Sequence, residues 1–350
     1  MAVTEHLGRA SASAWRRIEP SHKWRKLATD NVLVFILAAI ICLGAVSSQY
    51  YFTPQNIENF LRSVAIFGIL ALGMTPVLLT GRIDLSVGAV MIFSVVTAVD
   101  VMIWGEALSG VKALVRGNIY QGSEIPLILL ALAAGGLIGL VNGVGVALLR
   151  IPAFIMTLAT MTALRGLSFL LTNGHPYYLQ TPFYSWLGSS VVLGIPFSML
   201  VCLVLFGVLA LVLGRTVAGR RIYAIGGHER TAELSGINVP LWIVLSFTAS
   251  GLFAAIAGVL FTARLASVDA PLAGGYELSA IAVAAIGGTS LSGGRGSAYR
   301  TLLGALVLAA VMNLMNILGI DTWYQNLVLG FVVILAVAAA DFGRRRTARS

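Results

Sequence analysis

Residues 189–213 read Ser189-Ser-Val-Val-Leu-Gly-Ile-Pro-Phe-Ser-Met-Leu-Val-Cys-Leu-Val-Leu-Phe-Gly-Val-Leu-Ala-Leu-Val-Leu213, a run without one charged side chain. A bilayer core about 30 Å thick is crossed by about 20 helical residues, so this run predicts a transmembrane helix. The same reading applied along the chain predicts about ten spans: 31–50, 60–80, 83–103, 125–149, 152–173, 189–213, 239–263, 276–290, 299–318 and 324–341. The stretch 276–290 is short and broken by Gly287-Gly288, which predicts a half-helix or a partial crossing.

Composition agrees. Of 350 residues, 58% are hydrophobic and 11% charged, against about 25% charged in soluble domains, and the mean hydropathy is +0.91. A water-soluble fold has nowhere to put that much apolar surface, whereas a bilayer covers it. The expected class is therefore an all-α integral membrane protein that forms a passage, not a soluble enzyme.

The net charge of +9 does not point to nucleic acid, because it is segregated. If the N-terminus is cytoplasmic and ten spans alternate, most basic residues fall on the cytoplasmic side. These are Arg9, Arg16, Arg17, Lys23, Arg25, Lys26, Arg82, Arg150, the arginines of loop 214–238, Arg295, and Arg344, Arg345, Arg346 and Arg349. Only Lys112 and Arg116 fall in the outside loops. Both termini are then cytoplasmic, with a basic segment 1–30 and a basic tail 343–350. The polar lead of the first 30 residues is long for a signal peptide, so the first span is read as an uncleaved helix.

The chain repeats itself. Gly81-Arg-Ile-Asp-Leu-Ser-Val87 resembles Gly275-Tyr-Glu-Leu-Ser-Ala280, matching Asp84 to Glu277 and Ser86 to Ser279. Leu140-Val-Asn-Gly143 can be set against Val311-Met-Asn-Leu314, matching Asn142 to Asn313. One insertion in loop 104–124 reconciles the two offsets. The copies lie five spans apart, an odd number, so they face opposite ways across the membrane. The halves are about 57–173 and 239–341, and inverted repeats of this kind are a usual build of transport proteins.

Polar residues inside apolar spans carry the candidate site. Asp84 and Glu277 each open an apolar helix, where an acid meets the positive helix end and caps free N–H groups. The same positions, with Ser86 and Ser279, can line a wet pathway. Asn142 and Asn313 either bond neighbouring helices or contact a polar solute. Arg165 either snorkels to the surface, pairs with an acid or lines the cavity. His175, in an outer loop, reads as a surface residue.

No phosphate-binding loop Gly-x-x-x-x-Gly-Lys-Ser/Thr is present, so ATP is not hydrolysed by that chemistry in this chain. Leu291-Ser-Gly-Gly-Arg295 resembles an ATPase signature but sits between two apolar spans and reads as a tight cytoplasmic turn. Cys42 and Cys202 lie in apolar runs without metal spacing. No cofactor or metal constellation stands out.

Several pieces in order resemble one family. They are Gly81-Arg-Ile-Asp-Leu-Ser-Val-Gly88, Asn142-Gly, Ile151-Pro-Ala-Phe-Ile-Met-Thr-Leu-Ala-Thr-Met161 with Arg165-Gly, Ala224-Ile-Gly-Gly-His-Glu-Arg-Thr-Ala-Glu-Leu-Ser-Gly-Ile-Asn238, and Gly275-Tyr-Glu-Leu-Ser through Gly287-Gly-Thr-Ser-Leu-Ser-Gly-Gly294. The chain resembles the permease subunits of bacterial ABC importers for monosaccharides, such as ribose, xylose and arabinose, over most of 30–342. Arg82 stands where the pattern has a second glycine, and His228 where it has asparagine.

The resemblance implies an ABC importer permease fold in the bacterial inner membrane, with a permease domain over 31–342. It implies a second permease copy or paralogue. It implies two cytoplasmic ATPase subunits, or one fused double ATPase, and a periplasmic or extracellular sugar-binding protein. Related permeases serve nucleosides and branched-chain amino acids, and an ion-coupled secondary transporter would also carry inverted repeats. The coupling segment of the family maps onto 214–238, with Gly227, His228, Glu229, Arg230, Glu233, Ser235 and Gly236 as candidates for ATPase contact. Glu229 to Gly236 is expected to form a short helix ended by its glycine.

Overall fold

Backbone polar groups in lipid must find partners within the chain, so apolar runs of this length become helices. The computed structural model describes residues 31–109, 115–116, 119–120 and 122–347. The basic segment 1–30, Lys112 and Arg349 lie outside the described residues. Along the chain come α1 (Val32–Ser47), α2 (Pro54–Leu79), α3 (Val87–Ser109), α4 (Glu124–Ala147), α5 (Ala153–Thr172) and α6 (Pro182–Ser189). They are followed by α7 (Phe197–Arg215), α8 (Val217–Gly227), α9 (Glu229–Leu234), α10 (Val239–Leu265), α11 (Tyr276–Ile286), α12 (Ala298–Ile317) and α13 (Thr322–Thr347).

Among the described residues, α2, α3, α4, α5, α7, α10 and α12 are long and apolar enough to cross a membrane. The apolar helices α1, α11 and the first part of α13, Thr322–Ile334, are shorter. Helix α11 has 11 residues, about 16 Å at the α-helical rise, or half of a bilayer core. It ends at Gly287 and Gly288, as its glycine pair predicts.

Several span boundaries differ from the sequence reading: α2 starts at Pro54 rather than at 60, and two other spans start late. The run 189–213 is not helical from its start: α7 begins only at Phe197. Leu193 and Gly194 both take positive φ (53° and 79°), the geometry of a two-residue hairpin turn. That turn joins β4 (Val191–Val192) to β5 (Ile195–Pro196) in an antiparallel pair. Apolar content alone does not distinguish this hairpin from helix. The run 83–103 likewise starts late, at Val87, because residues 82–86 carry no helical pattern.

Several helix starts carry a side-chain cap. Thr53, Asn238 and Ser297 accept hydrogen bonds from Asn56 N, Leu241 N and Arg300 N at the first turns of α2, α10 and α12. Such caps satisfy donors that the helix leaves free.

The spans are all α, and four short strands add a small sheet to one end of the bundle. Strand β1 (Val115–Arg116) pairs antiparallel with β2 (Ile119–Tyr120). Strand β2 runs parallel to β3 (Tyr177–Leu179), which pairs antiparallel with β6 (Ser267–Val268). The opposite end gathers the loops expected to be basic. Arg82 there meets Glu229, Gly294 N donates to Leu79 O, and Tyr223 Oη donates to Gly296 O. The Leu291–Arg295 segment is a tight turn, closed by Ser290 N to Arg295 O at 2.8 Å.

The densest packing joins α4 to α10. A side chain at Gly135, Gly139 or Gly143 would meet the backbone of Gly251, Phe247 or Val244. These glycines recur every four residues on one helix face, so they let two backbones touch where no hydrophobic effect drives helices together.

Candidate translocation site and its buried polar network

Two polar clusters lie within the bundle. The first surrounds the non-helical stretch before α3. Asp84 Oδ1 accepts from Ser86 N at 3.0 Å and from Ser86 Oγ at 2.6 Å, and Oδ2 accepts from Ser250 Oγ of α10 at 2.8 Å. Asn142 Nδ2 of α4 donates to Ser86 Oγ at 2.9 Å. Thr160 Oγ1 of α5 donates to Asn142 Oδ1 at 2.6 Å. Asp84, Ser86, Asn142 and Ser250 are all buried. One carboxyl group thus joins the start of α3 to α4, α5 and α10, and the groups within this cluster satisfy one another, as buried polar groups must.

The second cluster lies where α3, α5 and the approach to α11 meet. Arg165 Nη2 of α5 pairs with Glu277 Oε1 in the first turn of α11 at 2.8 Å. The Arg165 side chain keeps 38% of its surface and Glu277 only 10%. Glu277 Oε2 and Ser168 Oγ are buried without a hydrogen-bond partner. A cavity of about 230 Å³ adjoins them, lined by Ala89, Ile92, Arg165, Ser168, Phe169, Ala270, Pro271 and Gly274. Helices α3 and α11 run in opposite senses past this region: α3 leads away from the basic end and α11 towards it. The Arg165 guanidinium and the Ser168 side chain line this cavity, and Glu277 stands behind it as the partner of Arg165.

The structure thus brings Asp84, Ser86 and Asn142 together, and separately Arg165 and Glu277. Ser279 Oγ donates only to Gly275 O of its own helix turn. Asn313 exchanges two hydrogen bonds with Asn56 of α2, at 2.7 and 3.2 Å, so the bonding of Asn142 is not mirrored in the matched position. Asn56 stands just before the first expected half, which leaves it without a counterpart in the alignment. Thr160, Ser168 and Ser250 do not stand out in the sequence. Hydroxyls within helices commonly bond the carbonyl four residues back, as Thr157, Thr162 and Ser246 do here, and nothing in the sequence separates the two kinds.

At the basic end, the short helices α8 and α9 meet at His228. His228 Nδ1 accepts from Thr231 N at 3.3 Å and lies 3.0 Å from Thr231 Oγ1, so it caps α9 as an asparagine would. Gly236 ends α9 at φ +79°, and Ile237 N bonds back to Ala232 O, a glycine-terminated helix end. Glu229 points to Arg82, while Arg230 pairs with Glu233 on the same helix. Ser235 Oγ donates to Thr231 O. Gly226 packs so closely on Leu79 O and Gly294 N that a side chain would overlap them, whereas Gly227 faces open space.

Comparison with known proteins places the chain in a family. A ribose import permease protein of Bacillus subtilis is 40% identical, over 87% of this chain and 89% of the relative. A D-allose transport system permease protein of Escherichia coli is 35% identical, over 90% and 91%. An L-arabinose ABC transporter permease protein of Azospirillum brasilense is 32% identical, over 92% and 90%. No solved structure matches. A family model described as a branched-chain amino acid transport system permease component matches residues 56–337, and the chain belongs to that family of membrane transport permeases.

Proposed function

We propose that this chain is the transmembrane permease subunit of an ATP-driven, binding-protein-dependent importer, and that it passes a monosaccharide or related polyol. The observation that carries this reading is the match to ribose, allose and arabinose permeases over most of both chains. The family description names branched-chain amino acids, but the ribose, allose and arabinose relatives, aligned over most of both chains, are named for sugars. The Arg165–Glu277 cavity supports a polar solute that needs few charges. A neutral polyol offers hydroxyls both to the Arg165 guanidinium and to the Ser168 side chain that line it.

On this reading the termini are cytoplasmic and the basic end faces the cytoplasm of a bacterial cell. The halves 57–173 and 239–341 form inverted repeats, and the opposed senses of α3 and α11 support that. Two permeases pair, two ATPase domains bind below, and a binding protein docks at the sheet end. Solute choice rests largely with the binding protein.

Residues 214–238 then form the contact to the ATPase. Helices α8 and α9 pack on the basic end of the bundle through Ile222, Ile225 and Ala232 and leave Arg221, Glu229, Arg230 and Leu234 exposed. Rigid movement of this segment would be passed to the spans as alternating access. A bulky insertion between Gly227 and His228 is expected to abolish uptake while the protein stays in the membrane at its usual level. Uptake assays and membrane immunoblots check this, and normal transport with the insertion would remove the coupling role.

A further inference from the structure

We propose that Arg82 is a positioning residue that ties α9 to the Asp84 network, so that displacement of α9 is passed to α3, α4, α5 and α10. The inference rests on the importer reading and adds a residue that the family resemblance does not supply, since Arg82 stands where that pattern has glycine.

The bridge is specific in geometry. Arg82 Nη2 donates to both Glu229 Oε1 and Oε2 at 3.0 Å, and Nη1 donates to Thr80 O at 2.8 Å. Charge-assisted bonds of this kind set direction as well as strength. The Arg82 side chain keeps 16% of its surface and Glu229 keeps 54%. Among the described residues this is the one ion pair between α9 and another element, because Arg230 and Glu233 pair within α9 itself. Arg82 and Glu229 also form part of the wall of a cavity of about 400 Å³ shared with Arg150, Glu233 and the ends of α4, α5 and α10.

Arg82 is placed to transmit. Its backbone N donates to Val77 O at the end of α2, and Gly81 before it takes φ +77°, a turn that fixes where the arginine leaves the helix. Two residues later Asp84 holds Ser86 and Ser250, and Ser86 continues to Asn142 and Thr160. Thr160 lies five residues before Arg165 on α5, about 7.5 Å along the axis. The route from α9 thus runs through the Glu229–Arg82 pair, along two residues of backbone to Asp84, and then by hydrogen bonds to Thr160 on the helix that lines the candidate solute cavity.

The test is charge reversal and exchange in proteoliposomes that contain the chain with its ATPase and binding protein. The quantity read is sugar moved per ATP hydrolysed. Arg82→Glu and Glu229→Arg are each expected to lower that ratio about fivefold, less than a fully buried bridge because Glu229 is half exposed. The double variant Arg82→Glu/Glu229→Arg is expected to restore most of it. An unchanged ratio in the single variants, or a double variant no better than either, would overturn the proposal. So would uptake and hydrolysis that fall in parallel with thermal stability, the mark of a purely structural role.

A second measurement needs no transport and so separates this proposal from the importer reading. Hydrogen exchange on the purified chain in lipid nanodiscs is expected to rise in Arg82→Gly both at 229–236 and at 84–90. A rise confined to 229–236 would show that the bridge holds α9 without passing anything on, and would overturn the proposal.

Discussion

Replacing Arg165 with alanine is expected to cost about 3 kcal/mol of stability and most of the uptake. The substitution strips Glu277 Oε1 of its partner, and Oε2 has none already. A buried carboxylate would then stand unpaired in the first turn of α11. Removing one member of a buried pair costs about 3–5 kcal/mol. The lower end applies here because Arg165 keeps 38% of its side-chain surface and is not fully buried. Thermal unfolding in detergent and uptake in membranes measure the two losses separately. The double variant Arg165→Met/Glu277→Gln removes both charges together and is expected to recover stability, because well-packed neutral groups often match a buried ion pair. Uptake is expected to stay low in it. Recovery of both would mean the pair serves folding alone.

Asp84→Ala is the second large effect, about 3 kcal/mol or more. The carboxyl group accepts three hydrogen bonds, and the alanine leaves the Ser86 and Ser250 hydroxyls buried without an acceptor. Each lost buried bond costs about 1–3 kcal/mol. Asp84→Asn is a different matter. Its carbonyl oxygen keeps the Ser86 bonds, and its NH₂ meets Ser250, whose hydroxyl rotates to accept. The asparagine variant is therefore expected to fold at nearly wild-type stability. Thermal midpoints of the two variants check this. An asparagine variant as unstable as the alanine would show that the negative charge, rather than the bonding pattern, holds the four helices.

The spans were legible because lipid makes a single demand, that apolar residues continue for long enough. The half-length of α11 was legible for the same reason, since Gly287-Gly288 interrupts the run. The hairpin 191–196 was not, because valine, leucine and isoleucine suit strand and helix alike and only the φ values of Leu193 and Gly194 separate them. In the site, Asp84, Asn142, Arg165 and Glu277 stand out because charged and amide groups are costly in lipid. Their partners do not stand out. Pairing Arg165 with Glu277 depends on bringing α5 beside α11, positions 112 apart in the chain, and no local pattern encodes that. Arg82 was visible as a departure from the family pattern, but its role needed the position of Glu229.

A permease of an ATP-driven importer conducts its sugar only when the whole assembly is present. The most direct test reconstitutes it in liposomes with its ATPase and binding protein and follows uptake of labelled D-ribose, D-allose and L-arabinose. The account predicts accumulation of at least one sugar that requires ATP, the binding protein and this chain, and that is unaffected by ionophores. Uptake that continues without ATP and collapses when ion gradients are dissipated would contradict it.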